Sequence, residues 1–267
     1  MDEFIKFNNQ TSGRDKIFRL CQYTSRIVWY SLEKRHGNAA VLQKAKHLDE
    51  ILGLMRRLLR FGRFYETLHS TFPVMSISDG VIRLTSSLSR IANASFMFLD
   101  HVVCLDKLGL LPSKMIEAPK WDLLATKFWL YAILLGLTRD FYDILRIYKE
   151  EFQVKFRTSR IREMANSAGT SSSTSTAEIK NLKYRIVNHP NSVVKCVRQV
   201  KVISQCVHDH ADVAVDTVKN LFDLFIPLNS LGIVKLSPGV IGLLGCLSTV
   251  VSVIPQLNPM VKMVPSS

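Results

Sequence analysis

Acidic residues are scarce beside basic ones in this sequence. Its 267 residues carry 22 Asp+Glu against 35 Lys+Arg, a formal charge of +13 at pH 7. Such an imbalance attracts polyanions, either nucleic acid or the anionic face of a membrane. Cysteine is sparse too: Cys21, Cys104, Cys196, Cys206 and Cys246 are odd in number, widely spread and form no CxxC pair. That argues against a disulfide framework and for a reducing compartment. Glycine-rich phosphate loops are missing, as are HExxH and GxSxG, so the chain is not expected to be an enzyme. No finger spacing, helix-turn-helix or basic strand interleaved with aromatics speaks for nucleic acid. The opening MDEFIKFNNQ is acidic and polar, unlike a secretory signal. With a mean hydropathy of only +0.12, a transporter built mostly of apolar spans is not expected.

What charge there is comes in blocks. Residues 1–74 hold 13 basic and 7 acidic side chains, residues 139–201 hold 13 and 6, and residues 202–267 only 3 and 4. A basic body followed by a neutral, apolar last quarter suits a membrane-associated protein. The length admits one or two domains with a real core.

The periodicity is helical from end to end. Residues 14–35 repeat Ile17, Leu20, Cys21, Thr24, Ile27 and Val28 at threes and fours, and His36-Gly37-Asn38 is a stop signal. Residues 39–70 form the next pattern, ended by Thr71-Phe72-Pro73. On its wheel Leu48, Ile51, Leu52, Met55, Leu58 and Leu59 share one face, and Arg56, Arg57, Arg60 and Arg63 flank it. A wide apolar face beside clustered cations is the pattern of a helix lying in a lipid interface, although a core helix with a solvated edge has the same spacing. Residues 79–111 read as a buried or interfacial helix, followed by a break at Gly109, Pro112 and Pro119. Residues 120–156 read as one long core helix. Its uncharged stretch, Phe128 to Thr138, is too short to span a bilayer. Beyond it Arg139, Asp140, Asp143, Arg146, Lys149 and Glu150 predict i,i+3 and i,i+4 pairs.

The segment NSAGTSSSTSTA, residues 166–177, is small and polar and predicts a flexible linker, either a passive tether or a phosphorylated one. Residues 192–226 carry a heptad seam: Val193, Val197, Val200, Ser204, Val207, Ala211, Ala214, Val218, Leu221 and Phe225. It is expected to pack on a helix of the same chain before a second copy, and Pro227 to end the helix. Cys206, His208, Asp209, His210 and Asp212 are metal-ligand types. No second cluster completes a site, so they read as polar helix surface and no metal or cofactor is expected. Last comes LSPGVIGLLGCLSTVVSVI, residues 236–254, without a charge. Ser237 is a plausible N-cap and Pro238 a first helical residue. At about 28 Å such a helix matches one membrane span. Its glycines 239, 242 and 245 allow close helix contact.

The expected fold class is thus all-α: a membrane-associated helical bundle with an amphipathic helix at about 41–70 and a C-terminal transmembrane helix at about 236–254. The expected units are a basic helical domain over 1–160, a linker over 161–180, and a helix with the membrane segment over 181–267.

Several stretches in order are familiar: GRDKIFRLCQYTSRIVWYSLE from Gly13 to Glu33, RRLLRFGRF from Arg56 to Phe64, KFWLYAILLGLTRDFYDIL from Lys127 to Leu145, and DTVKNLFDLFIPLNSLGIVKLSPGVIGLLGCLSTVVSV near the C-terminus. Together they resemble the peroxin-11 family of peroxisomal membrane proteins over nearly the whole chain except the Ser/Thr linker. The resemblance implies a peroxisomal membrane protein that elongates and tubulates the membrane ahead of fission. It implies an amphipathic helix in the cytosolic leaflet, placed here on Leu48–Phe64 with Arg56, Arg57, Arg60 and Arg63 as lipid-facing cations. The implied partners are an anionic phospholipid membrane, further copies of the chain, the dynamin-related fission GTPase with its membrane adaptors, and the peroxin-19 import receptor, with peroxin-3 on the same route. It implies two membrane segments with both termini cytosolic. The residues themselves make one convincing span, which would put the VPSS tail in the lumen; a second crossing through 91–105 or 123–138 would reconcile the two. An oligomeric pore for small metabolites is the alternative function, weakened by a poor supply of polar faces. A soluble basic adaptor or nucleic-acid binder is the third.

Overall fold

The computed structural model describes residues 11–110, 118–168 and 211–257, and all regular structure among them is helical. In chain order the helices are α1 (Thr11–Lys34), α2 (Ala39–Leu59), α3 (Arg63–His69), α4 (Thr71–Val74), α5 (Gly80–Lys107), α6 (Ala118–Ala168), α7 (Ala211–Ser230) and α8 (Pro238–Leu257). The chain divides into two compact units, Met1–Tyr142 with Asp212–Ser267, and Asp143–Ala211. In the second unit Arg146 donates to Glu150 at 3.1 Å, one of the expected i,i+4 pairs.

The helix ends follow local chemistry. His36 takes a positive φ of 49° and Gly37 N–H donates to the Leu32 carbonyl, turning the chain out of α1. Asn38 then caps α2, its side chain accepting from Ala40 N–H at 2.9 Å. Asp79 caps α5 through Val81 and Ile82 N–H. Ser237 caps α8 with Pro238 as its first residue, as the residue types predict.

Three boundaries differ from the periodicity. The pattern over 39–70 is not one helix: it breaks at Gly62, whose φ of 81° is left-handed, and resumes as α3. Thr71-Phe72-Pro73 does not close the pattern either, because these residues wind one more turn as α4. Pro73 sits in that first turn, where its lack of an N–H costs no bond. Pro227 lies inside α7, which runs on to Ser230. Helix α6 is longer than predicted and covers 161–168, eight residues of the predicted linker; the rest of the linker lies outside the described residues.

Within the first unit α1 packs along both α2 and α8, and α5 packs on α2, α3 and α4. The α1–α8 contact is close because α8 presents glycine. A Cβ at Gly242 would stand 2.7 Å from an Ile27 side-chain carbon and at Gly239 2.5 Å from the Tyr30 ring, while at Gly245 it would fall inside the Tyr23 ring. Tyr23, Ile226 and Ile241 form the small core beside this contact.

Candidate membrane surface and polar interior

The amphipathic pattern of α2 leaves its apolar residues outside. Leu48, Ile51, Met55 and Leu58 are exposed, Leu48 by 49%. The row continues past the break as Phe61, Tyr65, Leu68 and Phe72, with Phe61 exposed by 58%. Leu52 is instead buried, 8% exposed, and Leu59 is half-buried.

The arginines on that helix turn the other way. Arg56 donates through Nε to Asp15 at 3.2 Å and through Nη1 to Gln22 at 2.8 Å. Arg57 reaches Asp100 and Asp122, each at 3.1 Å, and Arg60 reaches Asp100 at 2.8 Å. The expectation that these three cations face lipid is therefore corrected. Asp15, Asp100 and Asp122 stand on α1, α5 and α6 and draw them inward, where a charge needs a partner. Arg63, half-buried on α3, pairs with no carboxylate among the described residues.

The same inversion recurs along the chain. On α5 the exposed residues are Val81, Leu84, Leu88, Ile91 and Phe98, while Ser86, Ser87, Asp100 and His101 are buried. On α6 Leu124, Tyr131, Leu134 and Phe141 are exposed and Asp140 is fully buried, bound by Arg139 at 2.6 Å and by Asn220 at 3.0 Å. On α8 Val240, Leu243, Leu247, Val250 and Ile254 are exposed, and Ser248, Thr249 and Ser252 are buried. Each exposed row keeps helical spacing and so lies along one helix face, with Lys127 standing between Leu124 and Tyr131 on α6. In water, contiguous apolar surface on this scale is not left uncovered, and charged side chains are not collected inside. In a bilayer the arrangement is favourable: apolar faces meet hydrocarbon and polar groups find partners in the bundle.

On α7 the heptad seam also looks outward. Val218, Leu221 and Phe225 are exposed, and the buried face is Val213, Asn220, Asp223, Ile226 and Pro227. The expected packing of that seam within the chain is corrected for this part. Asp223 is turned in because Arg19 on α1 pairs with it. The seam residues before Ala211, and Cys206, His208, Asp209 and His210, lie outside the described residues.

Two helices are long and apolar enough to cross a membrane, Gly80–Lys107 and Pro238–Pro255, and only 39% and 33% of their apolar windows are buried. The second is the predicted span. The first was predicted to be buried or interfacial, since Arg83, Arg90, Asp100, His101 and Asp106 interrupt it. The structure resolves part of that objection: Asp100 is neutralised by two arginines, and His101 meets the Arg60 carbonyl at 2.9 Å.

Charge is held in tight sets elsewhere in the interior. Burial alone would raise the Asp216 pKa, but Lys219 and Arg139 outweigh it and hold the group low. Asp140 goes the opposite way, pushed up by burial despite Arg139. Lys16, whose ammonium meets the Ser252 carbonyl on α8, is pushed down to about 8 by burial and by Lys219 and Arg19.

Among the described residues, a helical bundle with apolar stripes outside, ion pairs inside and two helices of spanning length has the make-up of a membrane protein. The sequence matches the peroxisomal biogenesis factor 11 family over residues 1–257, and the chain belongs to that family. It is 28% identical to human peroxisomal membrane protein 11B over 266 residues, covering 99% of this chain and 100% of the relative. It is 30% identical to bovine peroxisomal membrane protein 11A, covering 98% and 99%. With peroxisomal membrane protein PMP30B of Candida boidinii the identity is 24%, covering 94% and 91%. No solved structure matches the chain. The protein is thus a peroxisomal membrane protein of the biogenesis class.

Proposed function

We propose that the protein elongates the peroxisomal membrane ahead of fission by seating the outer face of α2, α3 and α4 in the cytosolic leaflet. The observation that carries this reading is the exposed row of Leu48, Ile51, Met55 and Leu58 on α2, with Phe61, Tyr65 and Phe72 exposed on either side of the Gly62 break. Burying such side chains in the acyl boundary contributes roughly 1.5–3 kcal/mol each. A wedge confined to one leaflet expands that leaflet and favours positive curvature. In this reading Arg56, Arg57 and Arg60 brace the wedge from inside through Asp15, Asp100 and Asp122 rather than gripping lipid headgroups. Self-association, supported by the outward Val218, Leu221 and Phe225 seam, concentrates the wedges. The fission GTPase, its adaptors and peroxin-19 enter through the family resemblance alone.

The test uses full-length protein in vesicles containing anionic lipid and in cells. Ile51→Glu and Leu58→Glu place a carboxylate on the outer face and are expected to abolish tubulation and peroxisome elongation while the protein still folds and inserts. Leu52→Glu is a different experiment, because Leu52 is buried and that variant loses the bundle. Normal elongation by Ile51→Glu and Leu58→Glu overturns the reading.

The pore alternative gains one supporting observation, the interior lined by Arg19, Arg56, Asp100 and Asp122. It predicts conductance in planar bilayers that changes with Asp122→Asn.

A further inference from the structure

Between α1, α2, α5 and α6 lies a cavity of about 380 Å³. Five guanidinium groups line it: Arg19, Arg56, Arg57, Arg60 and Arg63. Three carboxylates share the wall, Asp15, Asp100 and Asp122, and all three are already engaged. Asp223 neutralises Arg19 from outside the wall. The set therefore keeps a surplus of positive charge, with no carboxylate paired to Arg63 among the described residues.

A second, independent observation concerns hydrogen bonds. Arg19 Nε and Arg57 Nη1 are buried and have no acceptor, although the side chains are only 14% and 20% exposed. Buried donors are nearly always satisfied, and an orphan on a charged group is the costliest kind. Burial, with like charges adding to it, points the same way. Burial lowers the Arg56 pKa in spite of Asp15, and Lys16 is lowered by burial and by a set of neighbours that includes Arg19 and Arg63. An anion seated among these groups supplies the missing charge.

We propose that this cavity is a binding site for a small phosphate-class oxyanion, held by the guanidinium groups that line it, Arg63 among them. A phosphate group matches the site better than a monocarboxylate, because guanidinium groups reach its wall from three helices and a tetrahedral anion offers acceptors in several directions. The volume accommodates phosphate or pyrophosphate, or the headgroup of an anionic phospholipid. The wedge described above does not require this site, and the site does not require the wedge.

The experiment takes purified full-length protein in nanodiscs of neutral phosphatidylcholine and titrates inorganic phosphate and pyrophosphate, following thermal stability and calorimetric heat. A second arm replaces a few per cent of the lipid with phosphatidic acid and adds no soluble anion. Saturable stabilisation in the first arm identifies a free anion as the ligand; in the second arm alone it identifies a lipid headgroup. Arg63→Gln is expected to weaken binding about tenfold while the unliganded protein still folds. Asp122→Asn removes a carboxylate that is 52% exposed and is expected to tighten binding. Absence of stabilisation in both arms overturns the proposal. So does equal binding by wild type and Arg63→Gln, or weaker binding by Asp122→Asn.

Discussion

Lys16 shows what burial among like charges does to a single side chain. It sits on α1, its ammonium against the Ser252 carbonyl, and its pKa falls to about 8 from an ordinary 10.5. A depressed lysine binds fewer protons folded than unfolded between those two values. Stability therefore rises as the pH is raised from about 8 towards 10.5, the reverse of a lysine held by a carboxylate. Thermal unfolding of the detergent-solubilised protein across that range should show the rise, and Lys16→Met should flatten it. Asp100 is the contrasting residue, one buried carboxylate serving both Arg57 and Arg60. Asp100→Ala leaves two buried cations without their shared partner and should destabilise the bundle by about 3–5 kcal/mol, measured by denaturant titration in micelles.

At the scale of the element, α8 shows how one helix serves two surroundings. Its exposed row, Val240, Leu243, Leu247, Val250 and Ile254, is aliphatic, whereas Gly239, Gly242 and Gly245 face α1. Small residues let the backbones approach, and packing supplies the attraction where lipid removes the hydrophobic difference. Gly245→Val puts carbon into the Tyr23 ring and should force the α1–α8 pair apart, costing about 1–3 kcal/mol. An engineered cross-link between the two helices, or protease sensitivity of α1, reads the separation. Gly62 is glycine for a different reason: nothing lies within 4 Å of a Cβ there, but its φ is 81°. Gly62→Ala should cost about 1–2 kcal/mol through backbone strain alone.

Across the whole molecule, the ion pairs lie inside and the apolar stripes outside. Attachment to the membrane should accordingly resist 1 M salt, which screens exposed charges, and also alkaline carbonate. Fractionation of peroxisomes checks both; release by salt alone would mean that the stripes are not in lipid. The same inversion explains what the residues did and did not make legible. The start of α8 at Ser237 was readable because a cap acts within two or three residues, and Asn38 and Asp79 cap α2 and α5 in the same way. The single 39–70 pattern was misread at Gly62, since one left-handed residue interrupts a helix without disturbing the apolar spacing.

Arg56, Arg57 and Arg60 mark the boundary between what sequence and structure each decide. Their presence beside an apolar face on α2 and α3, the all-helical pattern, the C-terminal span and the family are determined by the order of residues, because periodicity and collinear motifs are local properties. Which way the arginines point is not. Their carboxylates lie 41 positions away for Arg56 and Asp15, 40 for Arg60 and Asp100, and 65 for Arg57 and Asp122. A helix wheel assigns angles between faces but not the direction of the core. Only the tertiary structure brought those anions to one side, turned the cations in and left the leucines out, because an unpaired charge costs more in lipid than an exposed methyl group does.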